Sequence, residues 1–185
     1  MKRSAALLSL LLGGVLALLP LSAGAGEAAA TSAYCGITWG SLPKQAAPMS
    51  AAPLVDVRAG RHTCYDRLVL DVAGAAGGYS VRYVPEVTMD GSGEPVPLRG
   101  GAFLSVVAHV PAYDENGNDT YHAPDPRELV DVTGYRAFRQ VAFAGSFEGY
   151  TTIGLGVRAR LPFRVFVLDG SDGHGRLVVD VAHSW

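Results

Sequence analysis

Two short segments with nearly the same sequence constrain the fold of this chain more than any other feature. The first, RLVLDVA, covers residues 67–73, and the second, RLVVDVA, covers residues 176–182. One set of alternate positions is wholly apolar and the other carries arginine and aspartate, which is typical of a β-strand with one buried face. In the first segment we expect the two leucines and Val72 to face the core, with Arg67 and Asp71 on the opposite face.

Most of the chain after residue 54 carries the same type of pattern. Segments such as VDVRAG, YSVRYV, FLSVVAHV and FRVFVLD combine alternation with β-branched and aromatic residues, and glycine or proline stands at many of the breaks between strands. No helical period persists for three turns. The sequence therefore predicts an all-β fold of antiparallel strands with long loops around residues 90–101 and 114–126.

The strands also repeat at the level of their pattern. Residues 55–84 can be laid beside residues 141–168 with Tyr65 on Tyr150, so that alternate apolar residues of one strand match those of the other. Both copies are interpreted as strand, hairpin, strand, hairpin, strand. In this register RLVVDVA is an extra strand that follows the second copy.

The N-terminal residues have the pattern of a secretory signal peptide. Lys2 and Arg3 precede an apolar run of about 15 residues, and small residues of a cleavage site follow. The run is shorter than the roughly 20 residues of a membrane span. We expect residues 1–25 to be removed from an exported protein, residues 26–53 to form a flexible leader and connector, and residues 54–185 to form one β domain.

The charge of the chain bears on whether its partner is a nucleic acid. The formal net charge is −2, and it becomes −4 once Lys2 and Arg3 are removed. With no basic block, the sequence does not favour nucleic acid as a partner.

The two cysteines, Cys35 and Cys64, are expected to form a disulfide because an exported chain meets oxidising surroundings. We expect a monomer without cofactor and without a membrane span after cleavage.

The sequence contains no pattern typical of a catalytic centre. The five histidines lack the spacing of a zinc motif and are expected to be surface imidazoles, and no G-x-S-x-G elbow occurs. Asp114, Asn116 and Asn118 alternate in a polar loop as calcium ligands do, but the glycine stands fourth instead of sixth. We predict no catalytic residue and no metal ion, with these three residues as the calcium candidate.

Charged residues on the strands form a candidate ligand-binding face, flanked by aromatic residues that include Trp39. The candidate residues are Arg67, Asp71, Arg82, Arg164, Arg176, Asp180, Tyr79 and Tyr83. Arginine binds carboxylates in a bidentate manner and aromatic rings offer flat apolar contact, which suits the carboxylates and sugar rings of wall polymers. The alternative is cross-strand Arg–Asp pairing on an exposed sheet, which explains the pattern without a ligand.

Several of these segments resemble the AMIN-like domain of exported actinobacterial proteins. RLPFRVFVLDGSDGHGRLVVDVA, residues 160–182, resembles the closing hairpin of the AMIN domain, and DRLVLDVAG followed by YSVRYV resembles its earlier strands. The resemblance covers roughly residues 35–185. It implies a small β-sandwich that binds the cell envelope and is linked to peptidoglycan, and it supplies no catalytic residue.

The predicted function is that of a secreted, extracellular or wall-associated, non-enzymatic binding module for cell-envelope or peptidoglycan polymers. Its partner would be a wall polymer or another exported protein. One alternative is a secreted inhibitor or partner-binding protein that uses the loop at 90–101 or at 114–126 for recognition. A third is a hydrolase whose site is not recognisable in the sequence.

Overall fold

The computed structural model describes residues 32–170 and 173–185, and every regular element in these residues is a β-strand. The predicted signal peptide lies outside the described residues. The predicted all-β fold is confirmed. The strands are β1 Ser32–Tyr34, β2 Ile37–Trp39, β3 Lys44–Ala46, β4 Leu54–Arg61, β5 Tyr65–Val72, β6 Tyr79–Val84, β7 Val87–Thr88, β8 Pro95–Val96, β9 Ala102–Ala108, β10 Phe138–Phe147, β11 Tyr150–Val157, β12 Phe163–Asp169 and β13 Gly175–Ala182.

Two antiparallel sheets form a sandwich around one apolar core. The five-stranded sheet has the order β10-β11-β9-β6-β3, and the four-stranded sheet has the order β12-β13-β5-β4. Removal of the core side chains from water is the main term that favours this packing. The largest of these side chains are Phe138, Phe163, Leu54, Leu68, Leu70, Leu104, Ile153, Leu155 and Leu177.

The alternation predicted for residues 67–73 is confirmed. Leu68, Leu70 and Val72 are buried in the core, and Arg67 and Asp71 lie on the outer face of the four-stranded sheet. The adjacent strand β4 has a bulge near its start. A bulge shifts the alternation by one residue, which allows the first residue of β4 to face the core as well.

The repeat between residues 55–84 and residues 141–168 appears in the topology. In each copy the first two strands form a hairpin in one sheet, and the third strand belongs to the opposite sheet. The second connection, interpreted as a hairpin, is therefore a crossover between sheets in both copies. Turn residues mark where a strand ends, but they do not determine which sheet the chain enters next.

The segment before residue 54 contributes strands to the sandwich. β3 pairs with β6 at one edge of the five-stranded sheet, and β1 pairs with β2. The predicted disulfide is confirmed, since Cys35 is bonded to Cys64. Closing a loop of this length in the unfolded chain is worth about 3–4 kcal/mol. The bond attaches the β1–β2 hairpin to the start of β5.

The outer face of the five-stranded sheet is covered by the β7–β8 hairpin and the residues that follow it. Two glycines on β11 allow this close approach. A Cβ at Gly154 would lie 3.0 Å from Leu98 Cδ1, and a Cβ at Gly156 would overlap the carbonyl oxygen of Arg99. The insertion around residues 90–101 therefore lies on this sheet, away from the outer face of the four-stranded sheet.

Candidate functional site

The two similar segments lie side by side as neighbouring strands. β5 and β13 pair antiparallel in a register that sets Arg67 opposite Asp180 and Asp71 opposite Arg176, with Val69 opposite a valine midway between them. Because directly opposite residues share one face of a sheet, each arginine lies beside the aspartate of the other strand. The register thus creates two separate Arg–Asp contacts on one surface.

The first cluster is centred on a fully buried carboxylate. Asp180 has an exposed fraction of 0% and accepts hydrogen bonds from Arg67 Nε at 2.6 Å and Arg67 Nη2 at 2.9 Å. Arg164 on β12 donates to the same carboxylate from Nε at 2.8 Å. Hydrogen bonding to Asp180 raises the pKa of Arg67, so this guanidinium stays charged. The carboxylate holds two partly exposed cations in fixed positions.

The second cluster repeats this arrangement around Asp71. Arg58 on β4 donates to it from Nε at 2.6 Å and from Nη2 at 3.0 Å, and Arg176 donates from Nε at 3.1 Å. Hydrogen bonding to Asp71 raises the pKa of Arg58, and Asp56 also acts on this arginine. The sequence analysis missed Arg58, although it occupies an outward position in the alternation of VDVRAG. We call the outer surface that carries both clusters the arginine face.

Aromatic rings surround the first cluster. The guanidinium carbon of Arg164 lies 5.3 Å from the ring centroid of Trp39 and 5.1 Å from that of Phe166, and Tyr65 contacts both Arg164 and Arg67. Such cation–π contacts add to the ion pairs in fixing the guanidinium planes. Trp39 lies against Arg164 but is itself buried, and Tyr65 and Phe166 are further aromatic contacts of this cluster.

Three of the predicted face residues lie elsewhere. Tyr79, Arg82 and Tyr83 belong to β6 in the five-stranded sheet. The two tyrosines point into the core, where Tyr83 Oη donates to the carbonyl oxygen of Leu161 at 2.7 Å and Tyr79 Oη donates to that of Val165 at 3.3 Å. Burial raises the pKa of Tyr83 to about 12. These tyrosines join the two sheets and do not flank the arginine face.

A shallow groove of about 350 Å³ runs across the arginine face. Val69 and Val178, which are paired across β5 and β13, lie between the two clusters and are buried, and Leu168 is an exposed apolar residue of the groove. Arginines of both clusters are among its other lining residues. Arg58, Arg67 and Arg176 are partly exposed there, while in the second cluster Asp56 lies opposite Asp71 and also acts on Arg58. The groove is therefore suited to anionic ligands with an apolar or ring-shaped body.

The calcium candidate is a loop closed by its own hydrogen bonds. Asp114 Oδ1 accepts from the backbone N–H groups of Asn116 and Asn118, and the Asn118 amide donates to both carboxylate oxygens. These bonds lower the pKa of Asp114. Among residues 32–170 and 173–185, no group of three or more His, Cys, Asp or Glu side chains is placed to hold a metal ion.

One histidine is not a surface imidazole. His183 is buried, and its Nε2 donates to Asp66 Oδ1 at 3.1 Å, while Asp66 Oδ2 accepts from the backbone N–H groups of Ala137 and Phe138. Asp66 is itself fully buried and connects β5, the end of β13 and the start of β10. The sequence analysis missed this pair, although the alternation that puts Leu68 and Val181 in the core places Asp66 and His183 on the same inward faces.

Comparison with protein-family models matches residues 52–183 to the AMIN-like domain. The chain belongs to the AMIN-like family. Comparison with curated proteins and with solved structures gives no match. AMIN-like membership indicates a cell-envelope-related binding module in general, and AMIN-like domains are generally non-catalytic.

The matched region contains the whole arginine face. Every strand of the four-stranded sheet belongs to the AMIN-like domain, whereas Trp39 and Cys35 precede it. The disulfide and the family are compatible with an extracellular or envelope location. In the part of the AMIN-like chain that the structure describes, there is no helix long and apolar enough to cross a membrane.

Proposed function

We propose that this AMIN-like protein is a secreted, non-enzymatic binding module that uses the arginine face to bind carboxylate-bearing polymers of the cell envelope, peptidoglycan foremost. The observation that carries the proposal is the pair of Arg–Asp–Arg clusters on a sheet face that the long insertion leaves uncovered. Family membership supports an envelope partner in general terms.

Arg58 and Arg67 retain donors for a ligand while bound to their aspartates. Arg58 and Arg67 contact the carboxylates with Nε and Nη2, so these contacts do not use Nη1. The exposed fraction of the side chain is 51% for Arg58 and 23% for Arg67. Guanidinium groups already held in place lose little freedom on binding, and they form strong charge-assisted bonds to carboxylates.

The surroundings of the clusters suit a carbohydrate chain. The exposed Leu168 and the partly exposed Phe166 provide apolar surface beside the arginines. Sugar rings present apolar C–H faces as well as hydroxyl groups, and flat apolar contact next to charge-assisted bonds is a common way to bind both. Peptidoglycan offers rings and carboxylates together.

The alternative is that the Arg–Asp pairs only stabilise the sheet and bind no ligand. A binding assay distinguishes this alternative from the proposal. Exposed ion pairs contribute about 0–1 kcal/mol to stability, so replacing Arg58 and Arg176 with glutamine should leave the fold intact. If the pairs serve only the sheet, binding should not respond to these changes. If the arginines contact ligand carboxylates, each lost bond costs about 1.5–3 kcal/mol of binding.

The test is co-sedimentation with purified peptidoglycan. We expect the protein to pellet with the polymer and the variant Arg58→Gln/Arg176→Gln to bind at least about tenfold more weakly. Arg82→Gln, on the outer face of the other sheet, is the matched control and should bind as the wild type does. Absence of wild-type retention above an unrelated β domain, or equal retention of the double variant, would overturn the proposal.

A further inference from the structure

The edges of the two sheets differ in how far other residues cover them. An edge strand has backbone N–H and C=O groups that point away from its sheet, and proteins usually block these groups with short strands, proline, charge or a bulge. The edge strands are β10 and β3 in the five-stranded sheet and β12 and β4 in the four-stranded sheet. In the residues that the structure describes, three of these edges are blocked and β12 is open over most of its length.

The three blocked edges use different means. Along β10, residues 126–129 form two backbone hydrogen bonds with the strand. β3 has only three residues and lies between Pro43 and Pro48. β4 has a bulge near its start, and Asp56 Oδ1 accepts the backbone N–H of Val57 at 2.9 Å. None of these edges offers a continuous row of backbone groups to a further strand.

β12 lacks such protection beyond its first residue. It pairs with β13 in an unbroken register, and its sequence FRVFVLD contains no proline. The N–H of Phe163 donates to the carbonyl oxygen of Gly40 and so points away from β13. Because the backbone groups of a strand alternate in direction, Val165, Val167 and Asp169 point the same way. No backbone group elsewhere in the described residues pairs with these three.

We propose that β12 is a homodimerisation edge, on which β12 of a second copy pairs antiparallel about a twofold axis at Val167. In this register the two Val167 residues donate to each other's carbonyl oxygens, and Val165 of each copy exchanges two hydrogen bonds with Asp169 of the other. A register nearer the start of β12 is excluded, because Gly40 already occupies Phe163. The inference goes beyond the proposed function and replaces the monomer expected from the sequence.

The outer side chains of β12 complement one another in this register. Leu168 is 42% exposed and Phe166 is half-buried, so the open edge presents apolar surface to water. Phe166 of each copy lies opposite Leu168 of the other in a non-hydrogen-bonded pair, where Cα atoms are only about 4.5 Å apart and side chains are closest. The twofold axis makes this contact twice. Pairing therefore covers the exposed leucine of both copies.

The inner side of the edge has a complementary charge. Lys44 Nζ lies 4.0 Å from the centroid of the Phe163 ring and donates to two backbone carbonyl oxygens. Burial, with no carboxylate beside it among the described residues, lowers the pKa of Lys44. Asp169 of the second copy lies opposite Val165, on the inner face and one position along from Phe163. It brings a carboxylate towards the ammonium group of Lys44, which a charge-assisted contact favours.

The experiment measures self-association of the purified protein by sedimentation equilibrium. A single pair of short strands is a small interface, so we expect a monomer–dimer equilibrium with a dissociation constant on the order of 10–100 μM. Leu168→Asp should raise this constant at least about tenfold, because it removes the apolar contact and adds a carboxylate next to Asp169. Phe147→Asp on β10 replaces an apolar residue of similar exposure, 53%, and is the matched control that should leave the constant unchanged.

Cysteine cross-linking tests the register. The Cα atoms of the two Val167 residues are about 5.5 Å apart in a hydrogen-bonded pair, which a disulfide can span. Those of the two Leu168 residues are diagonal neighbours about 7–8 Å apart, which a disulfide cannot span without backbone movement. Val167→Cys should therefore form a covalent dimer under mild oxidation in much higher yield than Leu168→Cys. Thermal melting verifies the folding of each variant, and Leu168→Asp decides the matter if Val167→Cys does not fold.

The outcomes are separate from those of the proposed function. A wild type that stays monomeric up to about 1 mM means that β12 takes another partner or none, and it overturns the inference. An unchanged dissociation constant in Leu168→Asp, or equal cross-linking of the two cysteine variants, overturns it as well. None of these results depends on peptidoglycan, so the proposed function is decided by its own sedimentation assay.

Discussion

At the scale of single residues, Asp66 connects the two sheets of the sandwich by hydrogen bonds. It is fully buried and accepts two backbone N–H groups from the start of β10 and one donor from His183. A buried carboxylate is tolerated only where such donors satisfy it. Asp66 therefore fixes the position of the five-stranded sheet relative to β5.

Replacement of Asp66 by alanine should destabilise the protein by about 3–5 kcal/mol, because three buried donors lose their acceptor. The free energy of unfolding in urea measures this. Asp119→Ala in the exposed part of the 114–126 loop is the matched control and should change it by less than about 0.5 kcal/mol. Equal effects of the two substitutions would show that Asp66 does not hold the sheets together.

The sequence predicts which face of a strand a residue occupies, because this depends on local alternation. Arg67, Asp71, Arg176 and Asp180 face outward as their strand positions indicated. The same alternation places His183 on the inward face after Val179 and Val181, but its partner Asp66 lies 117 positions earlier and does not follow from the local pattern. Alternation gives the face of a strand but not what covers that face.

At the scale of elements, the contrast between the two outer sheet faces depends on glycines in β11. Gly154 and Gly156 have no side chain, so the residues after β8 pack directly on the five-stranded sheet. The four-stranded sheet instead carries arginines and aspartates on its outer face. One outer face is thus covered by the chain itself, and the other carries the proposed binding surface.

Gly156→Ala should displace the covering segment and destabilise the protein by about 1–3 kcal/mol, because its Cβ would overlap the backbone carbonyl of Arg99. Urea unfolding and the rate of trypsin cleavage after Arg99 measure the two effects. Gly60→Ala on β4 is the control, since its Cβ would meet only His62 Nε2 at 3.8 Å. Unchanged stability and cleavage in Gly156→Ala would contradict this role.

The sequence pattern predicts the strands but not the sheet to which each strand belongs. The pattern identified β6 as a strand, yet Tyr79 and Tyr83 were placed beside the arginines, whereas they lie in the core of the opposite sheet. The residues between β5 and β6 fit a hairpin as well as a crossover. Pairing is decided by which apolar faces can be buried together, and that depends on the complete chain.

At the scale of the whole molecule, the pattern repeat between residues 55–84 and 141–168 explains the architecture. Each copy places a hairpin in one sheet and a third strand in the other, so the two copies interlock around a shared core. β13 then follows the second copy and lies against β5 of the first. RLVLDVA and RLVVDVA therefore meet as neighbouring strands, and each sets its arginine opposite the aspartate of the other.

The claim that the arginine face binds the envelope polymer is tested most directly by mapping the contact on the intact protein. NMR titration with soluble peptidoglycan fragments can follow the side-chain Nε–H signals of the arginines. We predict changes at Arg58, Arg67, Arg164 and Arg176 and no change at Arg82. Changes confined to the five-stranded sheet or to the polar loops, with the four arginine signals unaffected, would contradict the account.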